Sequence, residues 1–143
     1  MSKKLATLKR MIEENTLIND VTINTNDTDL LLDSRESSIF EDEWLRVFRN
    51  LEALKKNGGI TEEDALSIKG IKEAAFKKCY QYNGSDVASY ISDDFELFAL
   101  AIATEYKDSW LNSLWQEYIN NRFPHGKLEP VDIMLDKDEI GFS

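Results

Sequence analysis

Cysteine and histidine are almost absent from this 143-residue sequence, which contains one of each, Cys79 and His125. A single cysteine cannot form an intramolecular disulfide, and one cysteine with one histidine does not supply the ligands of an ordinary zinc site. Long apolar segments are also missing, because the longest run, residues 97–103, is far shorter than the roughly 20 residues that cross a bilayer. The basic N-terminus is not followed by an apolar stretch, so we expect a cytoplasmic protein without a secretory signal.

Sequence motifs of the common enzyme classes are missing as well. The sequence has no glycine pattern for binding a phosphate or a dinucleotide and no G-x-S-x-G nucleophile turn. The glycine pair Gly58-Gly59 follows an asparagine and is typical of a helix end. We therefore expect no cofactor and no catalytic residue, and an enzymatic role is the less favoured hypothesis.

Positive charge is scarce: 17 Lys and Arg stand against 27 Asp and Glu, which gives a formal net charge of −10. Proteins that bind nucleic acid or anionic membranes neutralise phosphates with Lys and Arg, so we expect neither partner. The acids are concentrated in two blocks, residues 11–43 with a charge of −9 and residues 83–143 with −8. A mildly basic block, residues 44–82 with +3, lies between them.

Apolar residues at helical spacing predict a mainly α fold with five to six helices. The length is typical of one domain, here residues 1–143, and 42% apolar residues suffice for a core. Residues 94–106 are apolar nearly all round, which predicts a central buried helix about which the others pack. Four local patterns predict helix starts: a capping box from Ser38 to Glu41, the Thr61-x-x-Asp64 pattern, a cap at 92–94 that follows a separate short helix, and a cap at Asp108. Gly70 is a candidate for a kink or a close helix crossing.

Two segments alternate apolar and polar residues as strands do. Residues 20–24 lie in an asparagine- and aspartate-rich stretch, and residues 130–135 lie near the C-terminus. A small two- or three-stranded β element could form from them, although nothing local requires it.

The densest acidic stretch with neighbouring aromatic residues is the candidate partner-binding surface. Carboxylates in the first turn of a helix are explained by capping alone, and paired carboxylates can also serve acid–base chemistry or contact a partner. A buried position is the favoured interpretation of Trp110 and Trp115. The candidate partner-binding residues are Tyr90, Asp93, Asp94, Glu96, Glu105 and Asp108, with Asp42 and Glu43 from the first acidic block.

Several other features resemble sites but are better explained without one. The C-terminal Asp136-x-Asp138 pattern lacks an oxygen ligand at its fifth position and any later glutamate, so we expect no calcium loop and no bound metal. His125 is alone in a loop, and Cys79 lies on the apolar side of a helix, where cysteine is usually inert.

These observations favour a small, acidic, non-enzymatic module that binds a basic protein partner. In composition the chain is similar to small acidic immunity or inhibitor proteins, a likeness that implies neutralisation of a basic toxin. Acidic surfaces steer association with basic partners and exclude nucleic acid. Two alternatives remain open: a DNA mimic that inhibits a nuclease, which needs regular rows of carboxylates, and a small carboxylate-dependent hydrolase or metal-binding enzyme, which would use Asp93 and Asp94.

Overall fold

Six helices form the part of the protein that the computed structural model describes, which is residues 3–19, 28–83 and 85–128. They are α1 (Lys3–Glu13), α2 (Thr28–Arg35), α3 (Ser38–Lys56), α4 (Glu62–Asn83), α5 (Ser85–Thr104) and α6 (Ser109–Ile119). No strand occurs within these ranges, and the mainly α prediction is confirmed. The segments predicted as β, residues 20–24 and 130–135, lie outside the described residues.

The turn between α3 and α4 follows from its residues. Gly58 has a φ of 79°, and the N–H of Gly59 donates to the carbonyl oxygen of Leu54 at 3.0 Å, which closes the last turn of α3. The hydroxyl of Thr61 then accepts from the N–H of Asp64 at 3.0 Å and begins α4. Both predicted boundaries are confirmed.

The capping box predicted at Ser38 does not form. The N-cap of α3 is Ser37, one residue before the predicted cap. The Ser37 side chain makes no capping hydrogen bond. Its hydroxyl instead donates to the carbonyl oxygen of Ser34 at 2.7 Å, which ties the start of α3 back to the end of α2. The short connection between the two helices explains why the local pattern was misleading.

The predicted helix start at residues 92–94 is wrong, because α5 runs without interruption from Ser85 to Thr104. The Ser92 hydroxyl donates to the carbonyl oxygen of Ser89 within the helix and therefore does not cap a new one. The helix also ends before residue 106. Glu105 takes the left-handed conformation, with φ at 59°, and the N–H of Tyr106 donates to the carbonyl oxygen of Ala101.

Helix α5 packs along α4 and also contacts α1 and α3. Phe95 and Phe98 of α5 meet Tyr118 and Trp115 of α6 edge to face, with ring centroids 4.8 and 5.2 Å apart. Trp110 and Trp115 are both buried, as predicted. Within the described residues, no helix combines the length and apolar character that membrane crossing requires.

Gly70 and Gly59 offer a matched pair of substitutions. Gly70 lies within the continuous helix α4, and an added Cβ would meet only the Lys9 amine, at an ordinary 3.7 Å. The predicted close helix crossing is therefore not found there. An added Cβ at Gly59 would lie 2.6 Å from the Leu54 carbonyl oxygen.

We predict that Gly70→Ala raises the free energy of unfolding by about 1 kcal/mol, because alanine has the higher helix propensity. Gly59→Ala should lower it by at least about 1 kcal/mol, because the turn must shift. Urea denaturation of both variants checks this, and equal effects of the two substitutions would contradict the helix and turn geometry.

Candidate partner-binding site

An ion pair between Arg35 and Asp94 lies in the interior of the protein. Arg35 ends α2 and Asp94 lies midway along α5, and their relative exposures are 4% and 0%. The two terminal guanidinium nitrogens donate to Oδ2 and Oδ1 of Asp94 at 2.7 and 2.8 Å. This two-pronged geometry is the strongest that arginine forms with a carboxylate.

The Asp94 carboxylate accepts two further hydrogen bonds. Trp44 of α3 donates its indole N–H to Oδ1 at 2.9 Å, and Tyr118 of α6 donates its hydroxyl to Oδ2 at 2.6 Å. Arg35 also donates to the carbonyl oxygen of Pro124 at 3.3 Å. One side chain of α5 therefore joins α2, α3 and α6, and through Arg35 it reaches the segment that follows α6. A buried ion pair needs such additional hydrogen bonds to offset the hydration that both charges lose on burial.

Aromatic rings enclose the Arg35 guanidinium. Its central carbon lies 4.3 Å from the ring centroid of Phe40, 5.1 Å from that of Tyr90 and 5.3 Å from that of Phe123. Cation–π attraction at these distances adds to the ion pair. Among the described residues, Nε of Arg35 is the one buried side-chain nitrogen or oxygen without a hydrogen-bond partner.

The network shifts the pKa values of Arg35 and Tyr118. Burial alone would lower the pKa of Arg35, but the charge and hydrogen bonds of Asp94 outweigh burial and raise it. Burial, followed by the negative charge of Asp94, raises the pKa of the Tyr118 hydroxyl well above its ordinary value. The guanidinium therefore remains charged at neutral pH, and the phenol keeps the proton that it donates.

A cavity of about 230 Å³ lies against this network. Its walls combine three acidic residues, three aromatic residues, a leucine and the guanidinium: Glu36, Glu41, Asp93, Phe40, Trp44, Tyr90, Leu45 and Arg35. A second hollow of about 490 Å³ shares Glu36, Tyr90 and Asp93 with it and extends the depression towards Leu32 and Ser89. We call the carboxylates of Glu36, Glu41 and Asp93 the acidic rim.

Two contacts hold the acidic rim in place. The Tyr90 hydroxyl donates to Oε2 of Glu36 at 2.9 Å, and burial together with Glu36 raises the pKa of that hydroxyl. Lys72 of α4 lies 3.2 Å from Asp93 and 3.1 Å from Glu96. Burial raises the pKa of Asp93, and Lys72 acts against that rise. Glu41 is exposed and has no ion-pair partner in the described part of the chain.

A comparison with known families matches the part of the chain that contains this network and its cavity. Residues 7–125 match the sequence profile of the family described as immunity protein PIM1. The chain belongs to this family. The matched range covers well over half of the sequence and includes Arg35, Asp94 and the whole acidic rim. No curated protein matches the chain.

The structure separates the candidate residues of this immunity-family protein into three groups. Tyr90 and Asp93 line the cavity. Asp94, which the sequence analysis assigned to the same surface, is instead fully buried, so the surface assignment is wrong for this residue. Consecutive residues of a helix point in different directions, which explains why neighbouring carboxylates have different environments.

The remaining candidates lie away from the cavity walls. Arg46 connects Glu43 and Asp108, with its nitrogens 3.0 and 2.7 Å from their oxygens. Asp108 is also the N-cap of α6, because it accepts from the N–H of Leu111. Glu96 pairs with Lys72, Asp42 is exposed, and Glu105 forms the left-handed end of α5. Their role in partner binding stays a prediction.

The candidate residues from the sequence did not include six of the eight cavity residues: Arg35, Glu36, Phe40, Glu41, Trp44 and Leu45. One signal was available, because Arg35 is the single base among the ten acids of residues 11–43. A single basic residue among many acidic residues is consistent with a specific ion pair inside the protein. The other five have no local pattern that distinguishes partner binding from helix capping or core packing.

Metal ligands, the cysteine and the histidine give little support for a second site in the described residues. The described residues contain no group of three or more His, Cys, Asp or Glu side chains able to hold a metal ion. Cys79 is buried, and burial raises the pKa of its thiol to about 12. His125 is exposed, with Nδ1 3.2 Å from the Ser34 hydroxyl.

The buried ion pair predicts strong coupling in a double-mutant cycle of Arg35→Met and Asp94→Asn. Asp94→Asn alone should cost about 3–5 kcal/mol, because it leaves the Arg35 charge buried without its counterion. The coupling energy should be about 2–3 kcal/mol, measured by chemical denaturation.

The matched control is the surface pair of Arg46 and Glu43, whose side chains are 40% and 42% exposed. A cycle of Arg46→Met and Glu43→Gln should give less than about 1 kcal/mol. Equal coupling in the two cycles would contradict the role assigned to the buried pair.

Proposed function

We propose that this immunity-family protein neutralises a toxin by binding it, without catalysis, and that the bound face of the toxin is basic. The acidic rim around the cavity is the observation that carries the proposal. Glu36, Glu41 and Asp93 line the same cavity as the half-buried side chains of Trp44 and Tyr90. Aromatic residues flanked by complementary charge are typical of the residues that dominate protein interfaces.

The electrostatic part of the proposal rests on net charge as well as on local geometry. Asp94 neutralises Arg35, so the cavity offers the three carboxylates of the acidic rim, of which Asp93 also pairs with Lys72. The whole chain carries −10, which attracts a basic partner over a longer range. Charge of this kind accelerates encounter and rejects acidic competitors, and its effect weakens with salt.

The hydrogen bonds that hold the aromatic residues beside the acidic rim support the same proposal. Trp44 is held by Asp94, and Tyr90 by Glu36. Side chains that are already in place before binding lose little conformational entropy when a partner arrives. A preorganised surface suits an inhibitor that must bind tightly.

The test begins with affinity capture by the full-length protein from the source cells at low salt. We expect one basic protein, whose expression stops growth and whose effect is relieved by co-expression of this chain. The triple variant Glu36→Gln, Glu41→Gln and Asp93→Asn should bind it at least about tenfold more weakly, since a loss of 1.4 kcal/mol suffices. It should also lose much of the salt dependence and fail to restore growth.

A variant with Glu13→Gln, Glu14→Gln and Glu52→Gln is the matched control, because it removes the same charge from exposed or half-exposed positions away from the cavity. It should bind within about threefold of the unmodified chain. Circular dichroism verifies that both variants fold. The proposal fails if no protein is captured, or if the captured toxin binds the two triple variants equally well.

A further inference from the structure

The cavity inside the acidic rim can admit a side chain of a bound protein. Its volume of about 230 Å³ is below the roughly 300–1,000 Å³ of pockets that hold cofactors and drug-sized ligands. The second hollow of about 490 Å³ shares Glu36, Tyr90 and Asp93 with the cavity and gives a long side chain a path into it.

The charges around the cavity indicate a cationic guest. Glu36, Glu41 and Asp93 contribute three carboxylates, and Arg35 is matched by Asp94. Glu41 has no competing ion pair among the described residues, and Glu36 accepts only the neutral Tyr90 hydroxyl there. Two carboxylates at the mouth are thus available to a cation from outside.

Aromatic rings form the apolar part of the cavity wall. Phe40, Trp44 and Tyr90 line it, and Trp44 stacks on Phe48 with ring centroids 5.4 Å apart. The faces of such rings attract cations, and a flat guanidinium can lie against them while it contacts carboxylates with its edge.

Arg35 forms part of the cavity wall without making the cavity basic. Its side chain is 2% exposed, and both terminal nitrogens donate to the Asp94 carboxylate. Among the lining residues, a guest therefore meets the carboxylates of the acidic rim and no unpaired cation.

We infer that the cavity is the recognition pocket for one arginine side chain of the toxin, with its guanidinium between the aromatic wall and the carboxylates of Glu36 and Glu41. This inference rests on the proposed function and makes it specific. Arginine is favoured over lysine, because an ammonium group can neither stack on the rings nor bind a carboxylate through two parallel hydrogen bonds.

The experiment titrates the full-length chain, labelled on its tryptophan indoles, with N-acetyl-arginine amide and follows the indole N–H signals by nuclear magnetic resonance. The Trp44 signal should shift and saturate, whereas those of the buried Trp110 and Trp115 act as internal references. N-acetyl-lysine amide should bind more weakly, and the uncharged N-acetyl-citrulline amide should produce no saturable shift.

The variant Glu36→Gln with Glu41→Gln should weaken binding of the arginine derivative about tenfold, whereas the control Glu13→Gln with Glu14→Gln should leave it unchanged. The inference is overturned if arginine causes no saturable Trp44 shift, if lysine or citrulline binds as well as arginine, or if both double variants weaken binding equally. Because the titration requires no toxin, its failure is distinct from a failure of the capture experiment.

Discussion

The carboxylate of Asp94 is the contact on which the described structure depends. Its two oxygens accept four hydrogen bonds, from Arg35, Trp44 and Tyr118, which belong to three other helices. None of these donors is a sequence neighbour, and the Arg35 contact spans 59 residues. Removal of the carboxylate would leave a buried guanidinium, a buried phenol and an indole without their acceptor, a loss that simple packing cannot replace.

The same contact determines the shape of the surface above it. Asp94 fixes Trp44 and Arg35, and both form part of the cavity wall. Asp93, one residue earlier, is 44% exposed and belongs to the acidic rim. Asp94 therefore organises the interior, whereas Asp93 presents negative charge at the surface. A surface built on a rigid interior suits recognition, since little order has to be gained on binding.

Local sequence patterns predicted the helix ends and caps that depend on hydrogen bonds within one turn. The end of α3 at Gly58, the start of α4 at Thr61 and the Asp108 cap of α6 each depend on residues within one turn. The false start at residue 92 arose because Ser-Asp-Asp is a good cap. However, Val87, Ile91, Phe95, Phe98 and Ile102 are spaced by three or four residues across that point, and this spacing indicates one continuous helix.

The site itself was only partly predictable. Tyr90 and Asp93 were found because acids and aromatic residues lie close together in the sequence there. Glu36 lies in the turn between α2 and α3, and Glu41 and Trp44 lie in the first half of α3. Nothing local in the sequence shows that these residues meet α5. The pairing of Arg35 with Asp94 brings them together, and a pairing over such a distance leaves no periodic pattern.

The central claim is that the toxin covers the cavity beside the Asp94 network, and hydroxyl-radical footprinting tests it most directly. Trp44 and Tyr90 are partly exposed cavity residues, whereas Tyr80 and Tyr82 are exposed on α4 and do not line the cavity. Addition of the captured toxin should suppress oxidation of Trp44 and Tyr90 and leave that of Tyr80 and Tyr82 unchanged. Protection of Tyr80 and Tyr82 with no change at Trp44 and Tyr90 would contradict the account.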